Sequence, residues 1–372
     1  MSTVVKSKVI SESPNTIESP KKPARKTYLE VMRVIAAFFV IVNHTNSDVF
    51  LKMSEPPSFT WYFSLAYFYL SKIAVPLFFM IMGGLLLQKV DPVKKSLQRI
   101  GRALLVTVIY SGVYYYYFHS EYYYRKTPQS PPEMSVKEFL EMIFTNRATN
   151  AFWYLYAYIG LLILLPVLQR FAQGLSKGSH LYFIILSVGV LGSLPLITLF
   201  HEYKLNAYIT DTFIPVHIGL LFVGLFIEKH MKIDFLGFVT ATMGFLFTIF
   251  YQIFQTKQFY DINQNAYLQL DNWSYITVTL SAFCFYIMIK YLSNYVNLGE
   301  KVSKVVCYLG SLTFGIYLLS DLAKYLTKDL YYNKLLTMDI IPATIIWELI
   351  IFTGCAVITA VLKLIPGFKK LI

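Results

Sequence analysis

The sequence predicts an all-α, polytopic membrane protein with about ten transmembrane helices and both termini in the cytoplasm. Its composition is the first reason: 56% of the 372 residues are hydrophobic and only 15% are charged, whereas soluble domains carry roughly 25% charged residues. Apolar runs of membrane-spanning length recur along the chain, which is the second reason. The third is the distribution of the basic residues, which fall mainly on one set of alternate connections between these runs.

Each apolar run is long enough to cross about 30 Å of hydrocarbon as a helix. A spanning segment must satisfy its own backbone hydrogen bonds, and runs that are continuous rather than alternating favour helices over a β-barrel. The predicted spans cover residues 31–49, 62–88, 101–118, 151–169, 181–200, 212–228, 233–254, 274–291, 305–323 and 341–363.

The N-terminal segment differs from the rest of the chain. Residues 1–27 are rich in Ser, Pro and Lys and contain no apolar run, which predicts a disordered, basic cytoplasmic tail. The segment also lacks the basic start, short apolar core and cleavage site of a secretory signal. Residues 28–372 form the predicted transmembrane domain.

The distribution of basic residues predicts the orientation. Of the 33 Lys and Arg residues, 21 fall on the side of the N-terminal tail and 10 on the opposite side. Cytoplasmic segments of membrane proteins carry such an excess, so both termini are predicted to lie inside. The net charge of +12 is then explained by a membrane face, and it does not indicate nucleic-acid binding.

The long connection over residues 119–150 is predicted to lie outside. Within it, Ser135 stands three residues before Glu138 at the start of an apolar-patterned stretch, which predicts a short capped amphipathic helix. That helix either lies at the membrane surface beside a site or is a plain loop decoration. The three cysteines all fall inside predicted spans, with neither a disulfide framework nor metal-ligand spacing, so no metal site is predicted.

Four ionisable residues share one face of the first span. Arg33 and His44 are 11 residues apart, close to three helical turns and about 16 Å along the axis. Glu30 precedes Arg33 by three residues, and Asp48 follows His44 by four, so both keep the same face. Ionisable groups in a span are costly and tend to face a bundle interior or a wet cavity. The alternative is that Glu30 and Arg33 form an interfacial pair and His44 merely packs.

Other intramembrane polar residues are weaker candidates. Lys72 lies close to Ser71 and Pro76 in a very long run, where a broken helix would free backbone groups to line a cavity. Asp321 and Lys324 are three residues apart and would pair. Further ionisable residues in or at the ends of later spans are Asp211, His217 and Glu348.

A basic cluster precedes the third span. In "KKSLQRIGR", Arg99 and Arg102 share a helical face, and Lys95 lies one turn earlier. Composition favours an anchor that touches anionic lipid head groups. The alternative is a phosphate-binding surface beside a cytoplasmic opening.

The chain resembles acyltransferase family 3, the bacterial integral membrane acyltransferases. Arg33, ten intervening residues and His44 reproduce its R-x10-H signature. The stretches "AVPLFFMIMGGLLL" (74–87), "FWYLYAYIGLLILLPVLQ" (152–169) and "LGSLTFGIYLLSDL" (309–322) resemble three further blocks of the family, in the same order. The pattern, without an added soluble domain, is most similar to the enterobacterial-common-antigen O-acetyltransferase type.

The chain departs from the family pattern at two places. Met82 stands where the family usually has Ser before Gly83, so a role for that hydroxyl is absent here. Ser320 and Asp321 stand where a block often ends in His, so Asp321 either substitutes for that His or the role is lost.

The resemblance implies that residues 28–372 form an acyltransferase domain in a bacterial cell (inner) membrane. Relatives take an acyl group, usually acetyl, from cytoplasmic acyl-CoA and deliver it to a sugar hydroxyl of a surface polysaccharide or glycolipid. The acyl-CoA is a co-substrate, and no cofactor is implied. The block at 152–169 makes Trp153 and Tyr154 candidate cavity residues, together with Lys72 and Asp321.

The resemblance implies roles in catalysis and donor binding for the ionisable residues described above. A hydroxyl nucleophile needs a base, and His44 is the candidate. Asp48 would orient its ring. Arg33, held by Glu30, would bind the donor, and the resemblance now favours phosphate binding by Lys95, Arg99 and Arg102.

Two other functional classes remain as alternatives. A transporter or flippase for a polysaccharide or its lipid-linked precursor would carry similar intramembrane charges, but it would need no fixed Arg-to-His spacing. A sensory or structural membrane protein derived from the same fold would tolerate loss of His44.

Overall fold

The computed structural model describes residues 26–46, 55–126, 134–201, 205–206, 215–263 and 270–372. Nearly all of the predicted tail, as well as Asp48 and Asp211, lies outside the described residues. Within these ranges the secondary structure is helical, without strands. The predicted all-α fold class is therefore confirmed.

The helices follow the apolar runs closely. In chain order they are α1 (Thr27–Asn46), α2 (Phe59–Ser71), α3 (Ala74–Leu86), α4 (Val93–Lys126), α5 (Val136–Phe144), α6 (Trp153–Gly174), α7 (Lys177–Ile184), α8 (Leu191–His201), α9 (Val216–His230), α10 (Phe235–Asn263), α11 (Ile276–Leu292), α12 (Gly299–Leu326), α13 (Lys328–Asn333), α14 (Ile340–Leu362) and α15 (Phe368–Leu371). A π-helical stretch, Ile185–Val190, joins α7 to α8.

Seven helical segments within the described residues are long and apolar enough to cross a membrane. They are Thr27–Thr45, Phe59–Leu86, Asn150–Gly174, Lys177–Ile197, Phe235–Asn263, Gly299–Leu326 and Ile340–Leu362. The other three predicted spans are also helical, but α9 has 15 residues and α11 has 17. Helix α4 is long enough, yet its tyrosines and basic residues lower its mean hydropathy. The chain is a multi-pass membrane protein, and the count of ten stays a prediction.

The predicted break in the second span is confirmed. Helix α2 ends at Ser71 and α3 begins at Ala74, with Lys72 and Ile73 between them in the right-handed helical region of backbone space. Pro76 has no N–H to donate to the carbonyl of Lys72, four residues earlier, so regular helical bonding is interrupted there. Because Lys72 and Ile73 keep helical backbone angles, the segment bends rather than turning back.

Two glycines let α3 and α9 pack with their backbones in contact. A Cβ atom on Gly83 would lie 1.9 Å from the carbonyl oxygen of Leu221, and one on Gly224 would lie 1.8 Å from that of Met80. No side chain fits at either position, since real contacts of Cβ atoms are longer than 3 Å. This close approach sets the position of α3, which forms one wall of the cavity described below.

The start of α1 is held by a buried carboxylate. Glu228 on α9 forms an ion pair with Lys26 and accepts a hydrogen bond of 2.7 Å from the hydroxyl of Tyr28. Two residues of α11 approach the same group: the Tyr286 hydroxyl lies at 3.1 Å and the Lys290 ammonium at 3.5 Å. These contacts fix where α1 enters the bundle.

The short helix predicted in the long connection is confirmed as α5. The Ser135 side chain accepts a hydrogen bond of 3.1 Å from the backbone N–H of Glu138, which is the N-terminal cap that the spacing indicated. The hydroxyl of Tyr115 on α4 donates to the Glu138 carboxylate at 2.7 Å. Helix α5 is therefore attached to α4.

Candidate functional site

A cavity of about 520 Å³ lies among α1, α3, α4, α6 and α12. Apolar surface predominates in its walls, although 11 of the 23 lining residues are polar or charged. The polar lining residues are Arg33, His44, Arg99, Arg102, Trp153, Tyr154, Tyr158, Ser311, Thr313, Tyr317 and Lys363. A largely apolar concavity with a few convergent polar groups is typical of a ligand site.

The two ends of the cavity differ in charge. Arg33 lies near the start of α1, Arg99 and Arg102 near the start of α4, and Lys363 directly after α14. All four belong to helix ends that the charge distribution predicts to face the cytoplasm. His44, near the other end of α1, lies about 16 Å away along the helix, and Trp153 begins α6 on that side.

Arg33 is held by Glu30. Its guanidinium lies 3.2 Å from the Glu30 carboxylate, whose side chain is only 4% exposed. The same carboxylate packs against Gly310 on α12, where a Cβ atom would lie 2.2 Å from Glu30 Oε2. The absence of a side chain at position 310 thus gives the pair its place, and Glu30 supports Arg33 from behind instead of lining the cavity.

Arg99 is oriented by Asp91, in the connection between α3 and α4. Its guanidinium lies 2.8 Å from the Asp91 carboxylate, and the Lys95 ammonium lies 2.9 Å from the other oxygen. Burial raises the pKa of Asp91, but hydrogen bonds from Lys95 and Arg99 outweigh it and hold that pKa below its ordinary value. The backbone N–H of Asp91 donates to Gln169 on α6 at 3.0 Å, so the carboxylate is firmly placed.

The structure separates Lys95 from the other predicted donor-binding residues. Its ammonium is drawn to Asp91, and it is not among the residues that line the cavity. Arg102 does line it, and its Nε donates to the carbonyl oxygen of Leu371 at 2.8 Å. Lys363 also lines the cavity, although the sequence predicted it only as a basic residue of the cytoplasmic face. Its ammonium donates to the Ser311 carbonyl at 2.5 Å.

Asp321 lies at the His44 end of the bundle. It is buried and lies close enough to His44 for the two side chains to interact electrostatically. One carboxylate oxygen lies 3.1 Å from the Lys324 ammonium, and the other accepts a hydrogen bond from the Thr149 hydroxyl. Asp321 is not a lining residue but stands directly behind the lining. The prediction that Asp48 orients His44 falls outside the described residues.

Lys72 does not reach the cavity. Its ammonium lies 3.6 Å from the Asp271 carboxylate and 4.2 Å from the centre of the Phe68 ring. Both partners lie away from the cavity lining, so the expectation that Lys72 is a cavity residue is corrected. A long flexible cation follows the nearest carboxylate and aromatic face. Phe68 lies four residues earlier, on α2, but Asp271 is distant in sequence and could not be inferred from the local pattern.

Several lining residues were not predicted from the sequence, among them Tyr158 on α6 and Thr313 and Tyr317 on α12. The available signal was their place in two of the blocks that resemble the family, at 152–169 and 309–322. Met82, one of the two departures from the family pattern, also lines the cavity, so a thioether stands where the resemblance leads us to expect the hydroxyl of Ser.

The arrangement combines a cationic end with a histidine at the other end of one cavity. The model of the family described as an acyltransferase domain, acyltransferase family 3, matches residues 26–364. Comparison with curated proteins and with solved structures found no match.

Proposed function

Because this chain belongs to acyltransferase family 3, a family of membrane acyltransferases, we propose that it moves an acetyl group from acetyl-CoA to a sugar hydroxyl. The observation that carries the proposal is the single cavity bordered by Arg33, Arg99 and Arg102 at one end and by His44 at the other. A donor and an acceptor that enter from opposite ends of it would meet inside the protein.

The cationic end suits the phosphate groups of coenzyme A. Four cations border it: Arg33, which is paired with Glu30, Arg99, which is paired with Asp91, and Arg102 and Lys363. Guanidinium groups bind phosphate through paired, charge-assisted hydrogen bonds. The coenzyme would therefore bind from the cytoplasm, with its thioester directed along the cavity.

His44 would act as the general base. It would take the proton of the acceptor hydroxyl as the oxygen attacks the thioester carbonyl. The new C–O bond forms, the C–S bond breaks, and the coenzyme leaves as a thiolate that takes the proton from the imidazolium. Protons and electrons balance, so no resident cofactor is required.

The acceptor would be a carbohydrate of a surface polysaccharide or glycolipid that approaches from outside. The predicted orientation supports this, since it puts the His44 end of α1 on the outer side of a bacterial cell membrane. Arg33 and Arg99 would then remain accessible to cytoplasmic acetyl-CoA.

The test is turnover by the purified protein in lipid nanodiscs. Radiolabelled acetyl-CoA is supplied with glycolipids and polysaccharide extracted from cells that lack the protein, and labelled product is counted. Wild type should transfer label, His44→Ala should not, and His230→Ala, a histidine outside the cavity lining, should retain activity. Movement of glycan across the bilayer without consumption of acetyl-CoA would instead support the transporter alternative.

A further inference from the structure

Two indole rings are stacked at the His44 end of the cavity. The ring centres of Trp153 and Trp273 lie 5.3 Å apart, and the ring planes differ by 18°. Trp153 borders the cavity, whereas Trp273 is not among the lining residues. Trp273 therefore supports Trp153 from behind the lining.

Trp273 is held firmly behind Trp153. It lies in a turn in which the Asn272 side chain accepts hydrogen bonds from the backbone N–H and the hydroxyl of Ser274, at 3.0 and 2.9 Å. The ring centre of the buried Phe79 lies 5.7 Å from that of Trp273, and the ring centre of His217 lies 6.3 Å from that of Trp273. Because several elements contact Trp273, the indole pair has a defined orientation.

The indole pair is connected to His44 through Asp321. The Asp321 carboxylate interacts electrostatically with His44 and accepts a hydrogen bond from the Thr149 hydroxyl. Thr149 caps the short helix Asn150–Phe152 by accepting a hydrogen bond of 3.2 Å from the backbone N–H of Ala151, and Trp153 follows immediately. Asp321 is therefore hydrogen-bonded to the segment that carries Trp153 and lies near His44.

We propose that Trp153, supported by Trp273, is the surface on which the pyranose ring of the acceptor stacks, with one hydroxyl directed toward His44. A pyranose has an apolar face of C–H groups and a rim of hydroxyls. The apolar face matches the face of an indole, and buried aromatic surfaces contribute strongly to recognition. This inference rests on the proposed acyl transfer and adds the residues that select a ring over a simple alcohol.

The test compares two acceptors of different shape. Acetyl-CoA is supplied with a panel of methyl pyranosides or with 1-hexanol, which has a hydroxyl but no ring. Trp153→Phe keeps a flat aromatic face, whereas Trp153→Leu keeps apolar volume without one. We expect Trp153→Leu to raise the KM for the pyranosides about tenfold and Trp153→Phe to raise it much less. The KM values for acetyl-CoA and 1-hexanol should stay within about twofold of wild type.

The outcomes separate this inference from the proposed function. If wild type transfers acetyl to neither acceptor, the proposed function is wrong for these substrates. If wild type acetylates pyranosides and Trp153→Leu leaves their KM unchanged, or raises the KM for both acceptors and acetyl-CoA alike, Trp153 is not the stacking surface.

A binding measurement decides the point without catalysis. The four tryptophans of the chain report on ligands through their fluorescence, and a stacked pyranoside should change the signal of Trp153. The change should persist in Trp347→Phe, a buried tryptophan packed on Tyr331 away from the cavity lining, and it should disappear in Trp153→Phe. A wild-type protein whose fluorescence no methyl pyranoside alters would overturn the inference.

Discussion

The Glu30 carboxylate occupies the space that a side chain at position 310 would need. A Cβ atom on Gly310 would lie 2.2 Å from Glu30 Oε2, and the same carboxylate holds Arg33 at 3.2 Å. The contact between α1 and α12 therefore fixes where a cation stands at the cavity.

Gly310→Ala should displace this pair and weaken donor binding. Charge-assisted hydrogen bonds contribute about 1.5–3 kcal/mol, so we expect the KM for acetyl-CoA to rise about tenfold or more. Gly354→Ala is the matched control, because a Cβ atom there meets nothing within 4 Å. If the effects of Gly310→Ala and Glu30→Gln simply add, the two residues do not act together and the interpretation is wrong.

Replacing both Arg99 and Arg102 by Gln should raise the KM for acetyl-CoA with a smaller effect on kcat. Phosphate contacts hold the substrate and the transition state alike, so their loss appears mainly in KM. The control removes two exposed cations of α12, Lys301 and Lys304. Unchanged donor affinity in the Arg99/Arg102 variant would return these residues to the role of a membrane anchor.

Asp321→Asn should lower kcat about tenfold or more while the KM for acetyl-CoA stays unchanged. Its carboxylate interacts electrostatically with His44 but touches neither substrate in our proposal, so it is a positioning residue. The variant also leaves Lys324 without its buried partner, so the apparent Tm should be measured in parallel. Asp329→Asn, an exposed aspartate nearby, serves as the control. A proportional rise in the KM for acetyl-CoA would point to a general structural defect instead.

Asp91 should make stability depend on pH in the acid range. Its pKa in the folded protein is lowered, so its stabilising contribution is complete above the ordinary aspartate pKa of about 3.9 and is lost as the pH falls through the folded-state value. At pH 7 the free energy of unfolding of Asp91→Asn should be about 1–3 kcal/mol lower than that of wild type, so the variant should unfold at a lower temperature. The gap in apparent Tm should narrow as the pH falls toward 3. A gap that is constant across this range would contradict the assignment.

Thiol labelling should confirm the orientation on which the mechanism depends. In a variant with Cys284, Cys307 and Cys355 replaced by Ala, a single cysteine is placed at Gln98 or at Lys137, both in helices. An impermeant reagent on intact cells should label position 137 directly and position 98 only after permeabilisation. The reverse pattern would put the arginine end of the cavity outside the cell, away from acetyl-CoA.

Local sequence patterns were sufficient to predict most of the helices. Apolar runs and hydrogen-bonding constraints act over one helix at a time, so every predicted span is helical within the described residues. The second span is divided between α2 and α3, and the fifth contains α7, the π-helical stretch and α8. The helix break near Pro76 and the N-terminal cap at Ser135 depend only on neighbouring residues, so they could also be predicted from the sequence. The shared face of Arg33 and His44 follows from helical periodicity alone.

Only the tertiary structure decided which helices surround that face. Lys363, Trp273 and Asp321 reach the site, or its supporting layer, from segments more than 200 residues away from α1, and Lys72 turns away toward Asp271. Such neighbours depend on how helices pack, which is set by close contacts such as those of Gly83 and Gly310 with other helices. Packing of this kind depends on the shapes of two surfaces together, and the pattern within either helix does not contain it.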